Sequence, residues 1–150
     1  MLTNRLVLET ALGEIEKKYG GNKMIEELKV GMTNKFEKIV SEDDTAKKLA
    51  SGTIEVFSTP MMVAMMECAA KDVVQPFLDE GYSTVGISLN IKHMAATKIN
   101  KKVWAIAELV EIDRKRLVFK IDAFDEDKKI GEGTHERYII ENEKFISKLN

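Results

Sequence analysis

One cysteine, two prolines and two histidines are all this chain has of those residue types. The lone Cys68 excludes an internal disulfide and suits a reducing compartment. Two histidines and one cysteine argue against a structural zinc site. No uncharged stretch approaches the roughly 18 residues a membrane-spanning helix needs, and Glu9, Glu14 and Glu16 interrupt any apolar signal-peptide core. Charge of one sign is scarce too: 23 basic against 25 acidic residues, interspersed, leave a net −2. That balance gives neither a basic face for nucleic acid nor an acidic tail. Glycine-rich phosphate motifs are missing: there is no Walker loop, and Gly131-Glu132-Gly133 lacks the third glycine and following helix of a dinucleotide site. His135-Glu136 has no second histidine one turn on, so it is not a zincin motif. The expectation is a cytoplasmic protein with no nucleic-acid partner, no membrane contact and no bound metal or cofactor.

What is present is enough for one folded domain. The 150 residues are 44% hydrophobic and 32% charged, an ordinary globular composition. Residues 3–19 read as an amphipathic helix, with Leu8, Leu12, Ile15 and Tyr19 on one side and Gly20-Gly21 as its stop. Residues 1–23 are a helical arm or an appended extension, and residues 24–150 form the domain proper.

The domain is organised around Thr59-Pro60-Met61-Met62-Val63-Ala64-Met65-Met66-Glu67-Cys68-Ala69-Ala70. Thr59 suits an N-cap and Pro60 the first helical position, where a missing N–H costs nothing. Apolar residues at 61, 62, 65, 66, 69, 70, 73, 74, 77 and 78 draw a broad stripe, and the other side is apolar as well from 61 to 66. Pro76 and then Asp79-Glu80-Gly81 end the helix. Glu67 is the only charge between Met61 and Ala70. Two readings fit it: a surface ion pair with Lys71 at i,i+4, or a carboxylate kept in apolar company for a task.

Around the helix the pattern is of strands. Val30 to Val40 is a first strand anchored by Phe36 and Ile39, followed by a polar loop over 41–52 with a capped helical turn. Val85, Ile87, Leu89, Ile91 and His93 alternate with small or polar residues, so His93 continues an apolar face. Lys102 to Ile112 carries Trp104, Ile106, Val110 and Ile112 on one side. Leu117, Phe119, Ile121 and Ala123 point inward on the next strand, and Ile130 to Glu141 is the last. Short turns between successive strands imply an antiparallel meander, and one helix on its face makes an α+β fold.

Thr59, Glu67 and His93 are the polar residues aimed into this apolar setting. Thr59 and Glu67 stand about 12 Å apart along one helix, so a ligand or a second subunit has to complete any site they share. Each also has a plain structural reading: a cap for Thr59, a surface pair for Glu67 and a satisfied core histidine for His93.

Three separated segments resemble a known family: residues 59–67, then Gly86 with His93-Met94-Ala95-Ala96-Thr97, then Gly131-Glu132-Gly133-Thr134-His135-Glu136-Arg137. In order and spacing, from about Met24 to Phe145, the chain is similar to hotdog-fold thioesterases of the fluoroacetyl-coenzyme A thioesterase type. The resemblance implies a hotdog, an antiparallel sheet wrapped around a long central helix, and a homodimer with active sites at the subunit interface. It implies hydrolysis of a small or short-chain acyl-CoA, with Thr59, Glu67 and His93 catalytic and Gly86 lining the acyl pocket. Met62 and Met66 are assigned with Gly86 to substrate contact, because methionine-rich surfaces suit adaptable apolar ligands. The His135-Glu136-Arg137 run is given a structural role. Before the helix the chain departs from the family: Leu49-Ala50-Ser51-Gly52-Thr53-Ile54 stands where fluoroacetyl-specific members carry aromatic lid residues, which implies a different acyl specificity. Two further readings remain at this point, a non-catalytic acyl-CoA binding or sensing module and an enoyl-CoA hydratase.

Overall fold

The computed structural model describes residues 27–150. The amphipathic pattern of residues 3–19 and the proposed arm at 1–23 lie outside them. The elements run β1 (Thr33–Ile39), a 3-10 turn (Glu42–Asp44), helix α1 (Thr59–Val74), a second 3-10 turn (Gln75–Phe77), β2 (Tyr82–His93), β3 (Lys102–Asp113), β4 (Arg116–Asp125), β5 (Lys129–Glu141) and a short α2 (Asn142–Ser147). All strand pairings are antiparallel and the order across the sheet is β1-β3-β4-β5-β2. One helix packed on one face of this sheet is the expected α+β hotdog arrangement.

The helix forms where the periodicity places it, and Met62, Met65, Met66, Ala69, Ala70, Val73 and Val74 are its buried stripe. It packs mainly against β3 and β1. Opposite it stand Val103, Ala105, Ala107 and Leu109 of β3 and Leu117, Phe119, Ile121 and Ala123 of β4, all with no exposed surface. Burying side chains of this kind is worth about 1.5–3 kcal/mol for each large one. Small strand residues let the helix come close. A Cβ added to Gly131 would stand 2.6 Å from Met62 Sδ.

Several sequence expectations change face. Trp104, Ile106 and Val110 lie on the outer side of β3, where Trp104 stacks on Phe124 with ring centroids 5.9 Å apart. The inner side belongs to the smaller Val103, Ala105 and Ala107, because the helix leaves no room for indole there. A register shift between Leu109 and Glu111 then turns Ile112 inward. In β2 a similar shift between Gly86 and Ser88 leaves Ile87 as the extra residue. Alternation counted straight through it put Val85 and Ile87 with His93; the inward residues are instead Thr84 and Gly86 before the bulge, and Leu89, Ile91 and His93 after it. Ile39 is exposed and Phe36 alone of the two anchors faces the core.

Gly133 is required by backbone proximity. A Cβ there would meet Asn90 O at 2.2 Å and Ile91 Cα at 2.6 Å, and neither belongs to a flexible side-chain end. Gly133→Ala is therefore expected to destabilise the fold by about 3 kcal/mol or more. Thermal or urea unfolding of the variant checks this, and an unchanged midpoint would contradict it.

Candidate active site

Helix α1 begins one residue earlier than its sequence suggests. Ser58, not Thr59, is the N-cap, with its Oγ accepting from Met61 N–H at 3.2 Å and its backbone extended. Pro60 has no N–H and Met62 N–H is bonded to Ser58 O, so Thr59 N–H is the one open donor of the first turn. The correction frees Thr59 Oγ1, which pairs with His93 Nδ1 at 2.8 Å. His93 is the last residue of β2.

His93 Nε2 is buried and has no hydrogen-bond partner. Phe57 stands edge-on to the ring, with centroids 6.5 Å apart and planes at 78°. Burial pushes the imidazole pKa below its ordinary value, outweighing a hydrogen bond with the Ala95 backbone that works the other way. The ring is therefore neutral at pH 7. Thr59 and His93 open on a cavity of ≈ 370 Å³ whose wall includes Ser51, Val56, Phe57 and Ala96.

The walls of this cavity are tied down by two buried carboxylates. Asp44 accepts from Ser41 N–H at 2.8 Å and pairs with Lys38, and its backbone carbonyl receives Ser58 N–H at 3.0 Å. Asp125 accepts from Thr97 Oγ1 at 2.7 Å, from Lys128 Nζ at 2.8 Å and from the N–H groups of Asp127 and Lys128. Burial pushes the Asp125 pKa up, but these donors outweigh it and hold the group down at about 2. Thr97 O in turn receives Phe57 N–H at 2.8 Å, which joins the loop after β2 to the segment entering α1.

Glu67 does not join the Thr59–His93 pair within one chain. Nor is it a surface pair with Lys71, whose ammonium is 3.2 Å from Asp72 instead. Glu67 is half-buried two turns into α1, facing Gly86 of β2. A Cβ at Gly86 would lie 3.1 Å from His135 Cε1, 3.4 Å from Glu67 Oε1 and 3.5 Å from Arg137 Nη1. A side chain at Gly86 would sit in ordinary contact with the carboxylate and the guanidinium and tight against the imidazole, which would have to give by a few tenths of an ångström. Met62 and Met66 have no exposed surface and belong to the helix–sheet core, with Met62 against Gly131 of β5.

His135 and Arg137 are the polar groups that sequence reasoning passed over as structural. Both are buried, on the inward face of β5. The available signal was two ionisable residues at i,i+2 in a strand otherwise alternating inward with apolar side chains or glycine.

Comparisons with known proteins bear on the family and the fold. Residues 40–143 match the family described as fluoroacetyl-CoA-specific thioesterase. A fluoroacetyl-CoA thioesterase of Streptantibioticus cattleyicolor is 39% identical over 95 residues, 63% of this chain and 68% of that protein. A solved variant of the fluoroacetyl-CoA-specific thioesterase, in complex with fluoroacetate and CoA, superposes with a TM-score of 0.75 at 33% identity, covering 79% of this chain and 99% of that one. A thioesterase superfamily member of Thermus thermophilus gives a TM-score of 0.75 at 26% identity over 81% and 90% of the two chains.

The capping assignment yields a pair of opposite expectations. Ser58→Ala should cost about 1 kcal/mol of stability, whereas Thr59→Val should change it by no more than about 0.5 kcal/mol. Equilibrium unfolding of the two variants checks the assignment; equal losses would return the cap to Thr59.

Proposed function

This chain belongs to the fluoroacetyl-CoA-specific thioesterase family and is an acyl-CoA thioesterase, and we propose that it hydrolyses small or short-chain acyl-CoA thioesters through Thr59, His93 and Glu67. The observation that carries the reading is the 2.8 Å pairing of Thr59 Oγ1 with His93 Nδ1 at a cavity mouth, with His93 Nε2 left open. The acyl group lies along α1, its carbonyl oxygen taking the Thr59 N–H that the helix start leaves free, where the helix dipole favours negative charge. Glu67 attacks the carbonyl carbon to form a mixed anhydride, or draws a proton from an attacking water. In the anhydride route CoA leaves as the thiolate, and neutral His93 then takes a proton from the water that opens the anhydride and passes it to the sulfur, giving free acid and CoA; in the direct route the proton taken by Glu67 is passed to the leaving sulfur by way of His93. Thr59 orients the imidazole and the thioester. The route uses only groups of the chain and needs no bound metal or cofactor.

A second copy of the chain completes the proposed site. β2 is an edge strand of twelve residues, and Ile87 and Leu89 on it are exposed. Long, partly apolar edges are commonly covered by pairing. A homodimer joined there sets Glu67 and the Thr59–His93 pair at a shared interface, with Gly86 in the floor of the acyl pocket. Among the described residues no helix is long and apolar enough to cross a membrane; the half-buried free thiol of Cys68 fits a reducing compartment, and we place the reaction in the cytoplasm. The segment 49–54 is exposed and has no aromatic residue, which favours acyl groups other than fluoroacetyl.

Free-thiol release from a panel of acyl-CoA thioesters tests the activity, and tight binding without turnover on any member would reduce the protein to a binding module. Glu67→Gln and His93→Ala should each lower kcat/KM by at least about 100-fold; full activity in either removes that residue from the mechanism. Single turnover in heavy-oxygen water separates the two routes, since label entering the Glu67 carboxylate marks the anhydride. Mass measurement in solution reports the dimer.

The pH dependence follows from the direction of the His93 shift. Burial lowers its pKa, so the neutral, proton-accepting form persists below the ordinary imidazole range. kcat/KM should be flat near neutrality and fall only at pH values below about 6.5. An acid limb centred above that value would contradict a buried, neutral His93.

A further inference from the structure

Arg137 is a buried guanidinium with no carboxylate in salt-bridge contact among the described residues. Its Nε donates to Thr84 Oγ1 at 2.8 Å, its Nη2 to Thr84 O at 2.8 Å and its Nη1 to His135 Nε2 at 3.2 Å. An arginine has no acceptor, so His135 Nε2 must be the unprotonated nitrogen. The imidazole proton then sits on Nδ1, which donates to Ser88 O at 2.8 Å. This fixes one tautomer of a neutral ring. Burial first, and then the adjacent Arg137 charge, favour the neutral form, against the Ser88 hydrogen bond and the carboxylates of Glu67 and Glu136. A guanidinium buried at this depth is costly unless its donors are satisfied. Here every satisfying partner lies on β2 or β5, and the assembly faces Glu67 across Gly86.

We propose that His135 is a positioning residue of the thioesterase site: as a neutral acceptor it holds the Arg137 guanidinium in place beside the Glu67 carboxylate. The inference rests on Glu67 being the reacting carboxylate. His135 reaches neither the cavity at Thr59 nor Glu67 by a hydrogen bond and acts through Arg137 alone. Ser88 O, next to the bulge at Ile87, sets the ring's orientation, so the β2 irregularity and the Arg137 position are parts of one arrangement. Gly86 adjoins it as well, since a Cβ there would press on the His135 ring at 3.1 Å.

Glutamine and asparagine divide the two functions of the ring. His135→Gln places an amide oxygen near the Nε2 position and keeps the acceptor for Arg137. His135→Asn places its amide near Nδ1, keeping the tie to Ser88 O and losing the acceptor. With the best acyl-CoA of the panel, His135→Asn should lose about 10- to 100-fold in kcat with KM little changed, the size expected when a reacting group is misplaced by about an ångström. His135→Gln should retain kcat within about threefold of the unaltered enzyme. Wild-type kcat in His135→Asn, or an equal loss in both variants, would overturn the positioning role. Glu67→Gln is assayed alongside. If it is inactive while His135→Asn is fully active, only the present inference fails; if Glu67→Gln is fully active, the reading of the site fails with it. Thermal unfolding of each variant separates the kcat loss from loss of folded protein, and a His135→Asn preparation whose lower activity tracks its folded fraction counts against the proposal.

Discussion

Met62 lies so near β5 that a Cβ at Gly131 would fall 2.6 Å from its sulfur and force the thioether to move. That close seating of α1 on the sheet is the constraint on which the remaining structure depends. A fully buried stripe of methionine, alanine and valine leaves the helix little freedom to slide or roll, because interiors packed to this density resist small displacements. With the helix fixed, its polar residues are fixed as well. Thr59 comes to the end of β2 and Glu67 to the Gly86 bulge, each in register with a strand residue that the sheet pairing has already placed.

The helix start shows how a local choice becomes chemistry. Two residues at the entrance could cap, Ser58 and Thr59. Ser58 takes that task while its own N–H is held by Asp44 O, and Asp44 is itself pinned by Ser41 and Lys38. The capping hydroxyl is consumed by the backbone and the next one is released to His93. The same economy governs the loop after β2, where Asp125 takes four donors and leaves Thr97 O to hold Phe57 against the imidazole. Neither carboxylate touches the cavity, yet both decide where its walls stand.

Two histidines, both held neutral by burial, face opposite tasks. His93 keeps one nitrogen buried and unpaired at the cavity, a state that is costly for stability and useful for moving a proton. His135 has both nitrogens engaged, and its tautomer is set by the cation on one side and a carbonyl on the other. In the proposed mechanism the first arrangement moves the proton of thioester hydrolysis. The second is what permits a buried arginine to stand near Glu67 without a direct ion pair.

Much of this was legible in the chain alone. Period and punctuation determined the long apolar helix, its end at Pro76, the succession of strands along the chain, the inward face of β4 and the α+β class, because each follows from propensities over a few neighbouring residues; the expected meander holds only for β3-β4-β5, since β2 crosses to the far edge and pairs with β5. Three spaced motifs were enough to point to the family. Faces and partners were not legible. The bulges at Ile87 and Val110 invert the alternation on which face assignment rests, and each is a property of the pairing with the partner strand, distant β5 for Ile87 and the hairpin neighbour β4 for Val110, that local periodicity does not encode. Met62 and Met66 carry the same apolar signature whether they line a core or a pocket, and only the position of β5 makes them core. The convergence of His135, Arg137 and Glu67 on Gly86 joins residues up to seventy positions apart; sequence determined that these groups exist, and tertiary packing alone decided that they meet.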